Sequence, residues 1–154
     1  MSIILPVSDA TAFYKAYSED AGFDLYVAGE IIDNNIREQD VEFKPNETKL
    51  ILLKGRLCIP HKFWGLIVPR SSMRKLGFIC QAVIDAYYTG ELTIPVTWIA
   101  PINNQPITLQ KDTRFAQLII IPLPHITLKE CSIEELTKIS EGKRADKGLG
   151  SSGK

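Results

Sequence analysis

Short apolar runs recur along the chain between turn signals. Residues 48–53 (TKLILL) and 56–59 flank a Lys54-Gly55 break, and residues 63–68 (FWGLIV) run up to Pro69. Residues 78–84 lead into Asp85, residues 91–99 follow Gly90, and residues 115–121 (FAQLIII) end at Pro122. Runs this short, rich in Ile, Val and Leu and bounded by Gly and Pro, predict strands, because a helix needs a longer stretch of 3.6-residue period. With almost no helical segment between them, they predict an all-β sandwich or barrel.

Two helical segments are expected. Residues 71–76, after Arg70, fit a single turn. Ser132-Ile133-Glu134-Glu135 reads as a capping box ahead of apolar Ile133 and Leu136. From residue 141 the composition changes to Gly142, Gly148, Gly150 and Gly153, interspersed with Ser151, Ser152, three lysines and Arg144. Such a stretch cannot build a core and predicts a mobile arm. The expected organisation is a β-barrel over residues 1–140 and an arm over 141–154 belonging to the same domain. No internal repeat is visible.

A chain of 154 residues suits one domain with a core of its own, so it needs no disulfide or metal staple. Its 45% hydrophobic and 23% charged residues are an ordinary globular balance. Eighteen basic and 18 acidic residues cancel. No global field draws the chain to nucleic acid or to an anionic membrane, so any polyanion must meet a local basic cluster. The three cysteines, Cys58, Cys80 and Cys131, are odd in number and show no CxxC spacing. They predict reduced thiols in a cytoplasmic setting, which would be the host cell interior for a viral protein. Met1-Ser2-Ile3-Ile4-Leu5-Pro6 has no basic n-region, and no run approaches the roughly 20 apolar residues of a membrane span.

Five clusters carry candidate chemistry. Arg70-Ser71-Ser72 follows a strand-ending proline, where a guanidinium, two hydroxyls and aligned backbone amides suit phosphate oxygens; the same tripeptide also suits a plain surface turn. Asp85 ends an apolar run and precedes Tyr87-Tyr88-Thr89-Gly90. A carboxylate there is costly unless paired or functional, so it reads either as a general base or as an Asx-turn residue. Tyr88 suits stacking on a ring or simple packing. The tail, Gly148 through Lys154, matches the opening of a P-loop but ends at the lysine, without the following Ser or Thr and helix that a P-loop requires. It reads as a strip able to wrap phosphates together with Arg144, or as a structureless end. His61 and His125 each adjoin a proline without a metal-ligand partner at helical spacing and read as structural or exposed.

In order, AGFDLY at 21–26, PRSSM at 69–73, AVIDAYYTGEL at 82–92, RFAQL at 114–118 and RADKGLGSSG at 144–153 resemble the five motifs of the trimeric dUTPase family. The resemblance spans nearly the whole chain. It implies a distorted jelly-roll β-barrel, a homotrimer with active sites at subunit interfaces, and hydrolysis of dUTP to dUMP and pyrophosphate. It implies that Asp85 activates the attacking water at the α-phosphate, that the Tyr88 ring packs the deoxyribose, and that Arg70, Ser71, Ser72 and Gln117 hold phosphates. It further implies that Arg144, Ser151 and Ser152 clamp the outer phosphates, with Leu149 over the base. Mg²⁺ would arrive with the triphosphate, and Asp24 would touch it through water. No direct nucleic-acid partner is implied.

The chain departs from the family pattern at several positions. Leu149 stands where an aromatic lid is usual, and Trp98 is a candidate replacement. Tyr87 replaces an aspartate, and Ala82 and Ala145 replace glycines. The stretch from Arg70 to Asp85 is short where a base-reading hairpin is expected, and Ile79 falls near a usual asparagine. The closest rival is dCTP deaminase, alone or bifunctional, which would need a glutamate near the position of Pro95. A non-catalytic, nucleotide-binding regulatory trimer is the alternative of a different class.

Overall fold

The computed structural model describes residues 2–99 and 105–141. They fall into two units, the first running to Pro124 and the second beginning at His125. The first unit holds eleven strands among its described residues: β1 (Phe13–Tyr14), β2 (Phe23–Ile32), β3 (Asn35–Arg37), β4 (Val41–Phe43), β5 (Thr48–Leu53), β6 (Phe63–Pro69), β7 (Phe78–Cys80), β8 (Ala82–Ile84), β9 (Leu92–Trp98), β10 (Ile107–Leu109) and β11 (Arg114–Pro122). A short helix α1 (Ser71–Lys75) follows β6, and α2 (Ile133–Ile139) lies in the second unit. No helix among the described residues is long and apolar enough to cross a membrane.

The main sheet has the order β7-β9-β5-β2-β11-β6-β8, with β1 and β3 added to β2, while β4 and β10 form a separate pair. All the pairings are antiparallel. The two ends of this order, β7 and β8, are separated in the chain by Gln81 alone. The chain leaves one end of the sheet and enters the other within one residue, and the sheet curls into a nearly closed, jelly-roll type barrel. The two end strands are only three residues each, and edges this short offer little for another chain to pair with. The run 78–84, expected as one strand, is therefore two. They pair with β9 and β6 and not with each other.

Other expectations are met or displaced for local reasons. Residues 48–53 form β5 as expected, pairing on both sides with β2 and β9. Residues 56–59 form no strand. Gly55 at φ +84° and Pro60 confine them, and Leu57 makes only an isolated bridge to Val7. Strand β2 lacks a clean alternation because its register with β5 shifts between Val27 and Gly29. It also buries Glu30 (5% exposed), which meets Lys49 at 3.7 Å and accepts a bond from Gln39 at 3.3 Å. Asp33 and Asn34, at φ 50° and 65°, join β2 to β3 in a two-residue hairpin loop, the pair of left-handed residues a primed turn demands. Ser132 caps α2 by accepting from the Glu135 amide at 3.1 Å, as its capping box predicts.

The core is held around Phe78. Its ring meets Phe43 and Phe115 edge-on at 5.3 and 5.4 Å and lies 6.4 Å from Trp98. These four side chains come from β4, β7, β9 and β11, so one cluster links the β7 end of the sheet order to β11 and to the separate β4–β10 pair. Trp98, the candidate base lid, is 2% exposed, and its indole N–H donates to the Leu76 carbonyl at 2.8 Å. It is a core residue and cannot cover a ligand. Replacing Phe78 with Ala should cost about 3–5 kcal/mol, the usual penalty for emptying a buried aromatic site. Chemical unfolding at matched protein concentration checks this, and a loss below about 1 kcal/mol would mean that the cluster does not hold the barrel.

Candidate functional site

At one end of the barrel, the start of β2, the start of β11 and the β6–α1 junction converge. Gln117 pairs with Asp24 on one side and Val68 on the other, and the Arg70 amide donates to the Phe115 carbonyl at 3.0 Å. Pro69 ends β6, Arg70 stays extended (ψ 153°), and its carbonyl accepts from the amides of Met73 and Arg74 to start α1. The amides of Ser71 and Ser72, in the first turn, have no carbonyl within the helix to serve. Both serines are exposed.

Charge is concentrated here. Asp24 Oδ2 receives Arg70 Nε at 3.2 Å and an Arg114 guanidinium nitrogen at 3.3 Å. A second nitrogen of Arg70 donates to the Arg114 carbonyl at 3.2 Å, and the Arg114 guanidinium lies 4.4 Å over the Tyr14 ring. Two cations thus share one carboxylate, leaving local positive charge beside a groove of about 260 Å³ lined by Ser71, Arg74, Gln117, Ile79 and Cys80 among others. Both guanidiniums are oriented by fixed partners, an arrangement suited to planar, multidentate recognition of phosphate. Sequence reasoning placed Arg70, Ser71, Ser72, Gln117 and Asp24 here. It missed Arg114, Tyr14 and Arg74. Only Arg74 had a readable signal, its position three residues after Ser71 on one helix face.

The second locus lies at the far end of β6. Asp85 follows β8 and lines a cleft of about 210 Å³ with Ala82, Val83, Ile84, Tyr88, Glu91 and Thr93. The carboxylate is exposed, so the desolvation expected of a strand-end aspartate does not arise. Among the described residues nothing donates to its side chain, so it does not form the Asx turn that the sequence also allowed. The turn is held by backbone bonds: the Tyr87 amide to the Ile59 carbonyl at 2.9 Å and the Tyr88 amide to the Asp85 carbonyl at 3.3 Å. Tyr87 sits at φ +67°, unusual for an aromatic residue, with its ring parallel to His61. The Tyr88 hydroxyl donates to the Glu91 carbonyl at 2.7 Å.

The two loci are far apart in one chain. Gly65 pairs with Ile84, so Asp85 lies alongside Trp64. Arg70 is six positions further along β6, roughly 20 Å at the rise of an antiparallel strand. A general base must lie within hydrogen-bond reach of the water it activates. A phosphate gripped at Ser71 is out of reach of Asp85 in the same chain. The remaining expected residues, Arg144, Leu149, Ser151 and Ser152, lie outside the described residues. Among the described residues, no three His, Cys, Asp or Glu side chains gather to hold a metal.

The chain matches the dUTPase family model over residues 8–153. It is 34% identical over 143 residues to the deoxyuridine 5'-triphosphate nucleotidohydrolase of Mycolicibacterium gilvum, covering 90% of this chain and 85% of that one. It is also 34% identical over 151 residues to part of the Pol polyprotein of equine infectious anemia virus, covering 97% of this chain and 12% of the polyprotein. Among solved structures, the dUTPase of Staphylococcus bacteriophage 80alpha with dUPNHPP superposes with a TM-score of 0.79 at 25% identity, over 99% of this chain and all of that one. The native EIAV dUTPase gives 0.67 at 28% identity, over 84% and 97%.

Cys80 forms part of the groove wall, and burial pushes its thiol up to about 12. It stays protonated and unreactive near neutral pH. Iodoacetamide at pH 8 should therefore spare Cys80 in the native protein and modify it on unfolding, as peptide mapping would show. Modification of native Cys80 as fast as Cys58 or Cys131 would mean that the groove wall is open.

Proposed function

The chain belongs to the dUTPase family, and we propose on that basis that it hydrolyses dUTP to dUMP and pyrophosphate in a site that two or more copies of the chain build together. The observation that carries the shared site is the distance between the loci. Asp85 and Tyr88 occupy one end of β6 and Arg70, Ser71 and Gln117 the other. Only a second copy, presenting its basic groove to the Asp85 cleft, brings base and phosphate together. A head-to-tail contact of this kind forms a ring where its rotation closes, and a homotrimer fits the family.

In this reading Tyr88 packs the deoxyribose in the cleft, and Asp85 orients a water and takes its proton as the water attacks the α-phosphorus. The neighbour's Arg70, Ser71, Ser72 and Gln117 hold the phosphates, and pyrophosphate leaves on the side opposite the water. Arg74 and Arg114 add charge at the same groove. Asp24 is a single carboxylate already shared by two guanidiniums, which suits contact with the hydration shell of a Mg²⁺ carried by the triphosphate better than direct ligation. That ion, when bound, supplies neutralisation of the phosphate oxygens. Arg144, Leu149, Ser151 and Ser152 are assigned to closing over the nucleotide from sequence alone. The reduced thiols expected from the cysteine pattern fit a cytoplasmic enzyme. Deaminase chemistry is disfavoured by Pro95, which has no proton to transfer, and by Glu91, whose carboxylate is ion-paired with Arg56.

Purified protein with Mg²⁺ should release pyrophosphate and dUMP from dUTP, and not from dCTP, dTTP or UTP. Ammonia from dCTP would move the chain to the deaminases, and no product from any of the four would leave only a binding role. Asp85→Asn should retain dUTP binding and lose about 10²–10⁴-fold in kcat, the range of a positioned general base. Asp85→Asn and Arg70→Ala, each inactive alone, should regain about a quarter of wild-type activity when unfolded together in equal amounts and reassembled, the chance that an intact Asp85 and an intact Arg70 meet in the one productive order at a given interface. No recovery in mixed assemblies would place each complete site within a single chain.

A further inference from the structure

Behind the Tyr88 ring lies Gly90. A Cβ built on Gly90 would stand 2.5 Å from the Tyr88 hydroxyl oxygen, 2.7 Å from Cζ and 3.0 Å from Cε1. All three nearest atoms belong to that one ring, so Tyr88 lies directly over the space a side chain at position 90 would fill. Gly90 is not in the left-handed region, so its backbone would accept alanine, and no backbone atom is among the close contacts. Glycine is needed here for the ring and not for the turn. The ring is also tied from beyond Gly90, since its hydroxyl donates to the Glu91 carbonyl at 2.7 Å. Glu91 in turn is fixed by β9, which begins at the next residue, and by its carboxylate, which meets Arg56 at 2.5 Å. The ring's remaining surface, 43% exposed for the residue, borders the cleft that Asp85 lines.

We propose that Gly90 is a positioning residue for sugar discrimination: by lacking a side chain it seats the Tyr88 ring against the turn and so sets the wall on which the sugar of the substrate packs. The inference rests on the reading of Tyr88 as the sugar-facing residue. A methyl group at position 90 moves the ring and leaves Asp85, on the other side of the turn, where it is. The cleft then loses its fit to deoxyribose and its means of rejecting a 2′-hydroxyl, while the chemical step keeps its base.

The test is Gly90→Ala in the full-length protein, with kcat and KM measured for dUTP and UTP. The preference for dUTP over UTP in kcat/KM should fall by at least about tenfold, within the range that a small-group misfit produces. The loss should lie mainly in KM for dUTP, and in a Tyr88→Ala background the same substitution should change nothing further. An unchanged preference, or an equal effect without the Tyr88 ring, would overturn the proposal. A crystal structure of Gly90→Ala decides the seat independently of turnover. The ring displaced from the Glu91 carbonyl supports it, and the ring still bonded there refutes it. A wild-type protein inert towards dUTP would instead sink the functional reading.

Discussion

Between Cys80 and Ala82 the chain passes from one end of the sheet to the other in a single residue. A direct crossing of this kind holds the two ends of the sheet close to each other, and here it is made without a loop. Two consequences follow from the same constraint. Phe78, just before the crossing, is carried into the centre, where it binds β4, β9 and β11 into one cluster. Asp85, just after it, is carried to the far end of β6, out at the surface. The crossing thus anchors the core and sends Asp85 to the end of the barrel opposite the basic groove.

The electrostatics of the groove are those of a site prepared for an anion. A neutral chain has no long-range field to offer, so attraction must come from within about a Debye length of the groove. Asp24 keeps Arg70 and Arg114 oriented, yet it is one charge against two. The surplus remains on guanidiniums whose planes are already set by the Arg114 carbonyl and the Tyr14 ring. Orientation settled before a ligand arrives is not lost to side-chain entropy when it binds.

What the sequence disclosed follows from how local each signal is. Strand β5 was legible because Gly55 and polar neighbours bound a compact apolar run, and α2 because Ser132 and Glu135 announce a cap three residues apart. Strand β2 was not legible, since its bulge and its buried Glu30 break the alternation, and the partner that makes Glu30 tolerable, Lys49, belongs to another strand. The division of 78–84 into two strands depends on partners in β9 and β6 that lie well away along the chain on either side, as in Phe78 with Trp98 and Ile84 with Gly65. Asp85, Tyr88, Arg70, Ser71 and Gln117 were singled out as candidates through motif resemblance, and the structure gathers them into two groups. Arg114 was quoted within a motif but given no role, because its partner Asp24 is 90 residues away. The exposure of Asp85 could not be read either: an apolar run before an aspartate looks the same whether the strand ends inside the barrel or at its rim.

The bond from the Trp98 indole to the Leu76 carbonyl has a bearing on how this protein can change over generations. It grips the end of α1 by a main-chain atom, which every residue possesses. Gly77, whose Cβ would stand 2.3 Å from the Ile99 carbonyl, completes the attachment and tolerates no replacement. The exposed side chains of Arg74 and Lys75 in α1, and of Leu76 just after it, are therefore released from any duty in holding the helix to the barrel. Lineages can drift at those positions, and so retune what the groove attracts, while the attachment itself is inherited unaltered through Gly77 and Trp98.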